Sequence, residues 1–205
     1  MKKINEESAP ILVQAIRRKA MAVKVKSIEG STYISHRLST EAVDKFTGRE
    51  TGTIGPQNKK KIRVLDEEYE SCFYYTDTHK YGIPAAAFMS AFLDAAVACN
   101  IPKTQIKRAI RVLGDIYPLK YDKVNRRVDH PKRSGMTGSP DIRHRPEFVN
   151  WNTTITIEYD SNQITPEQIM NLINQAGWSC GVGDWRPSAP KSSGTHGMFE
   201  VEGKK

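Results

Sequence analysis

Five histidines, His36, His79, His130, His144 and His196, are the side chains able to move a proton near neutral pH. None stands beside acids at metal-ligand spacing, and His196 lies in a Ser/Gly-rich segment with no carboxylate next to it. A phosphate-cradling Walker loop, a GxSxG elbow and an HExxH pair are all missing from the sequence. The glycines of GVGDW, residues 181–185, follow a helix and strand rather than opening a helix, so they make no dinucleotide fingerprint. Cys72, Cys99 and Cys180 are far apart and odd in number, which gives neither a metal site nor a disulfide framework. The sequence therefore predicts a chain without catalysis, metal or cofactor.

Charge is the stronger signal. Thirty-one Lys and Arg face 23 Asp and Glu, a net charge of +8. Such a balance favours polyanions, nucleic acid above all. The basic residues cluster. Residues 122–147 hold Lys123, Arg126, Arg127, Lys132, Arg133, Arg143 and Arg145 against Asp122, Asp129, Asp141 and Glu147. Prolines and glycines there forbid a long helix, so the stretch reads as a basic loop or hairpin finger. Phosphate contact is the functional reading, and a solvated charged loop is the alternative. Lys59, Lys60, Lys61 and Arg63 form a second cluster that serves the same polyanion or only solubility. Tyr33, Tyr74, Tyr75, Trp151, Trp178 and Trp185 are the rings available for base stacking. Trp151 and Trp178 are expected to pack internally, and Trp185 is the ring expected to shape the loop or meet solvent.

These residues need elements to hold them. Alternation over 21–28 predicts a strand with Lys24 and Lys26 on its wet face. Ser8–Lys19 predicts a short amphipathic arm. Pro84 opens an alanine-rich helix in which Phe88, Phe92, Leu93 and Ala96 keep helical spacing. A second helix is predicted from Thr104 to Leu113, and a weak strand over 115–121. Residues 149–159 alternate best, with Trp151, Thr153, Ile155, Ile157 and Tyr159 on one face. Thr165, Pro166 and Gln168 predict a capping box, and Gly177 the end of that helix. MFEVE closes the chain as a strand. With insertions at about 31–80 and 120–147 set aside, the order is β-α-β-β-α-β. That is an α+β, ferredoxin-like or RRM-type core spanning 21–202, after an arm over 1–20 and before a short tail at 203–205. The open face of such a sheet is a common platform for single strands. No apolar run is long enough to span a membrane, and a cytoplasmic protein is expected.

Two stretches resemble a known group. YGIPAAAFMSAFLDAA resembles the "I-P-G-S-S-L-x-G-A-L-R" helix opening of the RAMP superfamily, the RNA-binding proteins of CRISPR effector complexes, with alanines in place of Gly-Ser-Ser. GVGDWRPSAPKSSGTHGMFEV resembles their C-terminal glycine-rich loop and last strand. The chain is also similar to a group of phage and prophage proteins with a "GLGDWRP…GRFEV" ending and an "R-x-R-P-x-F-x-x-W" strand entry, here RHRPEFVNW; STYISHRLS matches their "T-P-L-L-x-H" segment. The resemblance implies a non-catalytic protein of a phage-infected cell that lies along single-stranded nucleic acid and stacks on copies of itself. It implies backbone contacts through Gly181, Gly183, Trp185 and Arg186. It also brings two rivals: an endoribonuclease using His36 or His196 as general base, and a virion or assembly protein.

Overall fold

A computed structural model describes residues 15–37, 64–130, 142–190 and 193–203. Alternating small and β-branched residues build β1 (Arg18–Ser27), with Val23 and Val25 turned inward. The strand starts three residues before the expected boundary. Within the predicted arm helix, Arg18 and Lys19 are therefore extended, and residues 8–14 lie outside the described residues.

The core continues with α2 (Ala85–Ala95), β4 (Ile110–Leu113), β8 (Asn152–Asp160), α4 (Pro166–Ser179) and β9 (Phe199–Val201). The four strands form one antiparallel sheet in the order β4-β8-β1-β9. With α2 and α4 packed side by side against it, this is the ferredoxin-like β-α-β-β-α-β arrangement. Phe88, Phe92, Ile155, Ile157, Ile169, Leu172 and Phe199 fill the space between helices and sheet. Thr165 caps α4 and completes the capping box with Gln168.

Three local readings change. The predicted helix over 104–113 divides into α3 (Lys103–Ala109) and the core strand β4. Ile106, Ala109, Ile110 and Leu113 satisfy a helical stripe, but β-branched Ile110 and Val112 gain more by pairing with β8. The weak strand near 116 is β5 (Ile116–Pro118), which leaves the main sheet and pairs with β3 (Gly82–Pro84). Gly177 does not end its helix. It stands inside α4, where a Cβ would lie 1.7 Å from the Phe199 carbonyl oxygen. Glycine there lets α4 press onto β9.

The remaining elements add a second sheet. β2 (Tyr33–Ile34), β7 (Arg143–Val149) and β6 (Lys123–Asp129) pair in the order β2-β7-β6. The β6–β7 pair is the expected hairpin finger, its tip at 131–141 lying outside the described residues. A short helix, α1 (Leu65–Ser71), rests on β7. Tyr33, Phe148 and Trp151 join the second sheet to the core through ring contacts.

The open face of the main sheet carries Lys24, Lys26, Thr154, Arg111 and Glu200. Lys24 pairs with Glu202 and Lys26 with Glu200 at 3.1 Å. Among the described residues that face presents no aromatic ring, so the stacking surface of an RRM-type sheet is missing there.

Candidate nucleic-acid interface

The connection from α4 to β9 is held backbone to backbone. Val182 N–H donates to the Gly197 carbonyl, Gly197 N–H to Thr32, and Asp184 N–H to Ile34. Ser31 Oγ donates to the Thr195 carbonyl and accepts from Met198 N–H. The loop is thus ordered by its own chain around β2. Gly181 and Gly183 both have positive φ. A Cβ on Gly183 would stand 2.5 Å from the Ile34 carbonyl oxygen and 2.7 Å from the Tyr33 ring. The bare backbone expected to approach a ligand is needed first by the protein itself. Trp185 is half-buried with φ +55°, a strained value for a bulky residue.

This loop forms one wall of a cleft of about 200 Å³. Pro84, at the end of β3, and the N-terminal half of α2 form the other, with Pro84, Ala87 and Ser90 lining it at three-residue spacing. Their small side chains leave the room. Tyr33, His36 and Tyr74 close the back, and Asp184 and Arg186 stand at the loop side. Arg186 donates to the Gly183 carbonyl at 3.0 Å and to Ser188 Oγ at 3.2 Å. It has no acidic partner among the described residues. Burial, more than any charge, lowers the His36 pKa below 6.5; Asp184 opposes this, while Arg145 and Arg143 reinforce it. His36 Nδ1 faces Cys72 Sγ at 3.9 Å. Burial pushes the Tyr33 and Tyr74 hydroxyls up, so both stay protonated.

A chain of ion pairs fixes the cleft to the finger. Arg145 is buried, its side chain 3% exposed, and it bonds Asp184 through Nη1. Its Nη2 lies 2.9 Å from Asp129 Oδ2, an ionic approach without hydrogen-bond alignment. Arg127 donates to Asp129 at 2.8 Å and to Glu147 at 3.2 Å. Glu147 accepts from Thr32, whose oxygen lies 2.8 Å from His196 Nδ1. Arg127 Nη1 lies 3.3 Å from His196 Nε2. As an arginine has only donors, His196 is neutral there, with its proton on Nδ1 and directed at Thr32. Burial and then Arg127 lower its pKa.

The predicted site residues therefore separate. Gly181, Gly183 and Arg186 meet at the cleft, with Trp185 between them in the chain. Arg126 is exposed on the finger, stacked over Tyr69, with Nε bonded to His144 and Nη1 2.6 Å from Asp66. Arg127 is partly covered and doubly paired, and Arg143 is half-buried. Arg145 was expected among the surface cations and is instead a buried structural ion, because two carboxylates from distant segments converge on it. Lys59, Lys60, Lys61, Arg63, Lys132 and Arg133 lie outside the described residues. Trp178, expected to pack on its helix, is 63% exposed. Tyr33 and Tyr74, two of the rings named for stacking, line the cleft, whereas Asp184 and Ser90 enter the site without having been assigned to it. Asp184 had a signal in its place between Gly183 and Trp185, whereas Ser90 had none beyond helical spacing. Among the described residues no group of three or more His, Cys, Asp or Glu side chains is placed to hold a metal, and no helix is long and apolar enough to cross a membrane.

No protein-family model matches the chain, and no curated protein matches it. Solved structures do. A chain in the cryo-EM structure of the Type III-B Cmr-beta bound to cognate target RNA aligns with a TM-score of 0.58 at 10% identity. The match covers 91% of this chain and 59% of that one, so this protein spans about three-fifths of its length. Cmr6 from Pyrococcus furiosus aligns over 91% of this chain and 98% of its own, with a TM-score of 0.43 at 11% identity. The fold shared with the Cmr-beta chain is the ferredoxin-like architecture.

Proposed function

We propose that this chain is a non-catalytic, RAMP-like protein of phage type that binds single-stranded nucleic acid and associates with copies of itself along the strand. The observation that carries the reading is the cleft between the glycine-rich loop and the start of α2, the two segments in which the sequence resembles RAMP proteins. The Cmr-beta structure that shares the fold is bound to target RNA, which supports the choice of ligand. Exposed Arg126 and half-buried Arg186 supply charge near a strand laid from cleft to finger. Arg126 exchanges Asp66 for phosphate at small cost, since an exposed ion pair is worth about 1 kcal/mol or less.

Fluorescence anisotropy with labelled single strands of RNA and DNA, repeated across salt concentrations, tests the binding. Affinity is expected to fall steeply with salt. Absence of binding at low salt defeats the reading in favour of a virion or assembly protein. Electron microscopy on long single strands tests the self-association.

One observation favours an endoribonuclease instead: His36 faces the cleft with a lowered pKa, the state required of a general base. Shortened RNA products that disappear with His36→Ala would establish that activity. Intact RNA after long incubation supports the non-catalytic reading.

A further inference from the structure

We propose that the cleft takes one unstacked nucleobase, adenine or cytosine, read on its Watson–Crick edge by Asp184. The inference rests on the nucleic-acid reading above and assigns the cleft to a base rather than to the phosphate backbone.

Size comes first. A cleft of about 200 Å³ is smaller than the roughly 300–1,000 Å³ of sites for drug-sized ligands. It suits a single ring system. The lining suits one too: the half-buried Tyr74 ring and the apolar surfaces of Pro84 and Ala87 offer faces to a planar heterocycle, with buried Tyr33 behind them. Flipped and splayed bases are held in this way, by stacking plus hydrogen bonds to the Watson–Crick edge.

Polar groups then orient the ring. Two charged side chains stand on the loop wall, the Arg186 guanidinium and the Asp184 carboxylate. The Oδ2 of Asp184 is occupied by Arg145 Nη1. Its Oδ1 has no hydrogen-bond partner among the described residues and is open to accept an N–H. His36 Nε2 also lacks a partner among them, since the contact that His36 makes is through Nδ1. A carboxylate and an imidazole lining the same cleft match an edge that presents an amino donor next to an unprotonated ring nitrogen. Adenine and cytosine both do. Uracil and thymine present carbonyl oxygens on either side of their N–H, and these face the carboxylate unfavourably. Arg186 spends two of its five donors on Gly183 and Ser188. The rest serve the phosphate of the same nucleotide at the cleft mouth.

The test compares oligo-A, oligo-C and oligo-U of equal length, and their DNA counterparts, by fluorescence anisotropy. Wild-type protein is expected to bind the A and C strands about tenfold more tightly than U or T. Asp184→Asn, whose amide also donates, shifts preference toward U and T. Because that variant disturbs Arg145, Ser90→Phe provides a second arm: Ser90 is exposed, and a ring there fills the cleft without touching the ion pairs. It is expected to bring A and C down to the affinity of U, with the salt dependence unchanged. Tight binding with equal affinity for all strands overturns this inference alone. So does a Ser90→Phe protein that keeps the tenfold preference. Absence of binding to every strand overturns the nucleic-acid reading itself, and this inference with it.

Discussion

Arg145 of β7 and Asp184 of the glycine-rich loop form an ion pair that bolts the base of the finger to the wall of the cleft. Asp129 of β6 lies on the other side of the same guanidinium, so one buried cation is shared by three chain segments. Removing one member of a buried pair leaves its partners charged and dry, at a cost of about 3–5 kcal/mol. Arg145→Met is expected to lose that much in urea unfolding. Asp184→Asn should lose much less, because Asp184 is one-third exposed and Asp129 still balances Arg145. Equal losses in the two variants would show that the arginine is not the shared member.

Gly183 tests whether the loop's glycines serve packing. Alanine at this position combines a positive φ with a Cβ held 2.5 Å from the Ile34 carbonyl oxygen. Gly30 has the same sign of φ, and nothing within 4 Å of the added carbon. Gly30→Ala should therefore cost only the backbone penalty, about 1–2 kcal/mol. Gly183→Ala is expected to cost clearly more, seen as the larger fall in Tm, and to weaken binding because β2 and the loop must part.

The ferredoxin-like core was legible because its patterns are local. Thr165, Pro166 and Gln168 carry their cap in four residues, and Trp151 to Tyr159 alternate without interruption. Ile110 to Leu113 was not legible, since its apolar spacing fits helix and strand alike and only the partner strand β8 decides. Residues 122–147 read as a basic loop or a hairpin finger, and the pairing of β6 with β7 decides for the hairpin. Charge counting treats Arg145 like Arg126. What separates them is the arrival of Asp129 and Asp184 from 16 and 39 residues away, a tertiary fact. Gly183 was found by type, but the reason for it is Tyr33 and Ile34, which no local pattern connects to residue 183.

Arg126 and Asp66 offer a prediction about salt. If Arg126 exchanges Asp66 for a phosphate, Arg126→Ala should weaken binding to all single strands equally and reduce the slope of log affinity against log salt by about one. Asp66→Ala should do the reverse at low salt, since it removes the competing carboxylate without touching the cleft. An Asp66→Ala protein with unchanged affinity and an Arg126→Ala protein with unchanged slope would take Arg126 out of the interface.

The His196 knot predicts how stability follows pH. In the folded protein burial and Arg127 hold this imidazole below its ordinary pKa of 6.5, and the contact with Arg127 needs the neutral ring. The unfolded chain titrates near 6.5, so below that pH it binds more protons than the folded one. Stability is then full above about pH 6.5 and declines as the pH falls from there. His36 is shifted in the same direction, so the two add. Ordinary carboxylates titrate near pH 4, which leaves the window from about 5 to 6.5 to the histidines. Urea unfolding of wild type across that window should show the decline. His196→Asn, whose side-chain N–H still reaches Thr32, should flatten part of it, and adding His36→Asn should flatten more. A double variant that keeps the full wild-type slope would place the proton uptake elsewhere in the chain.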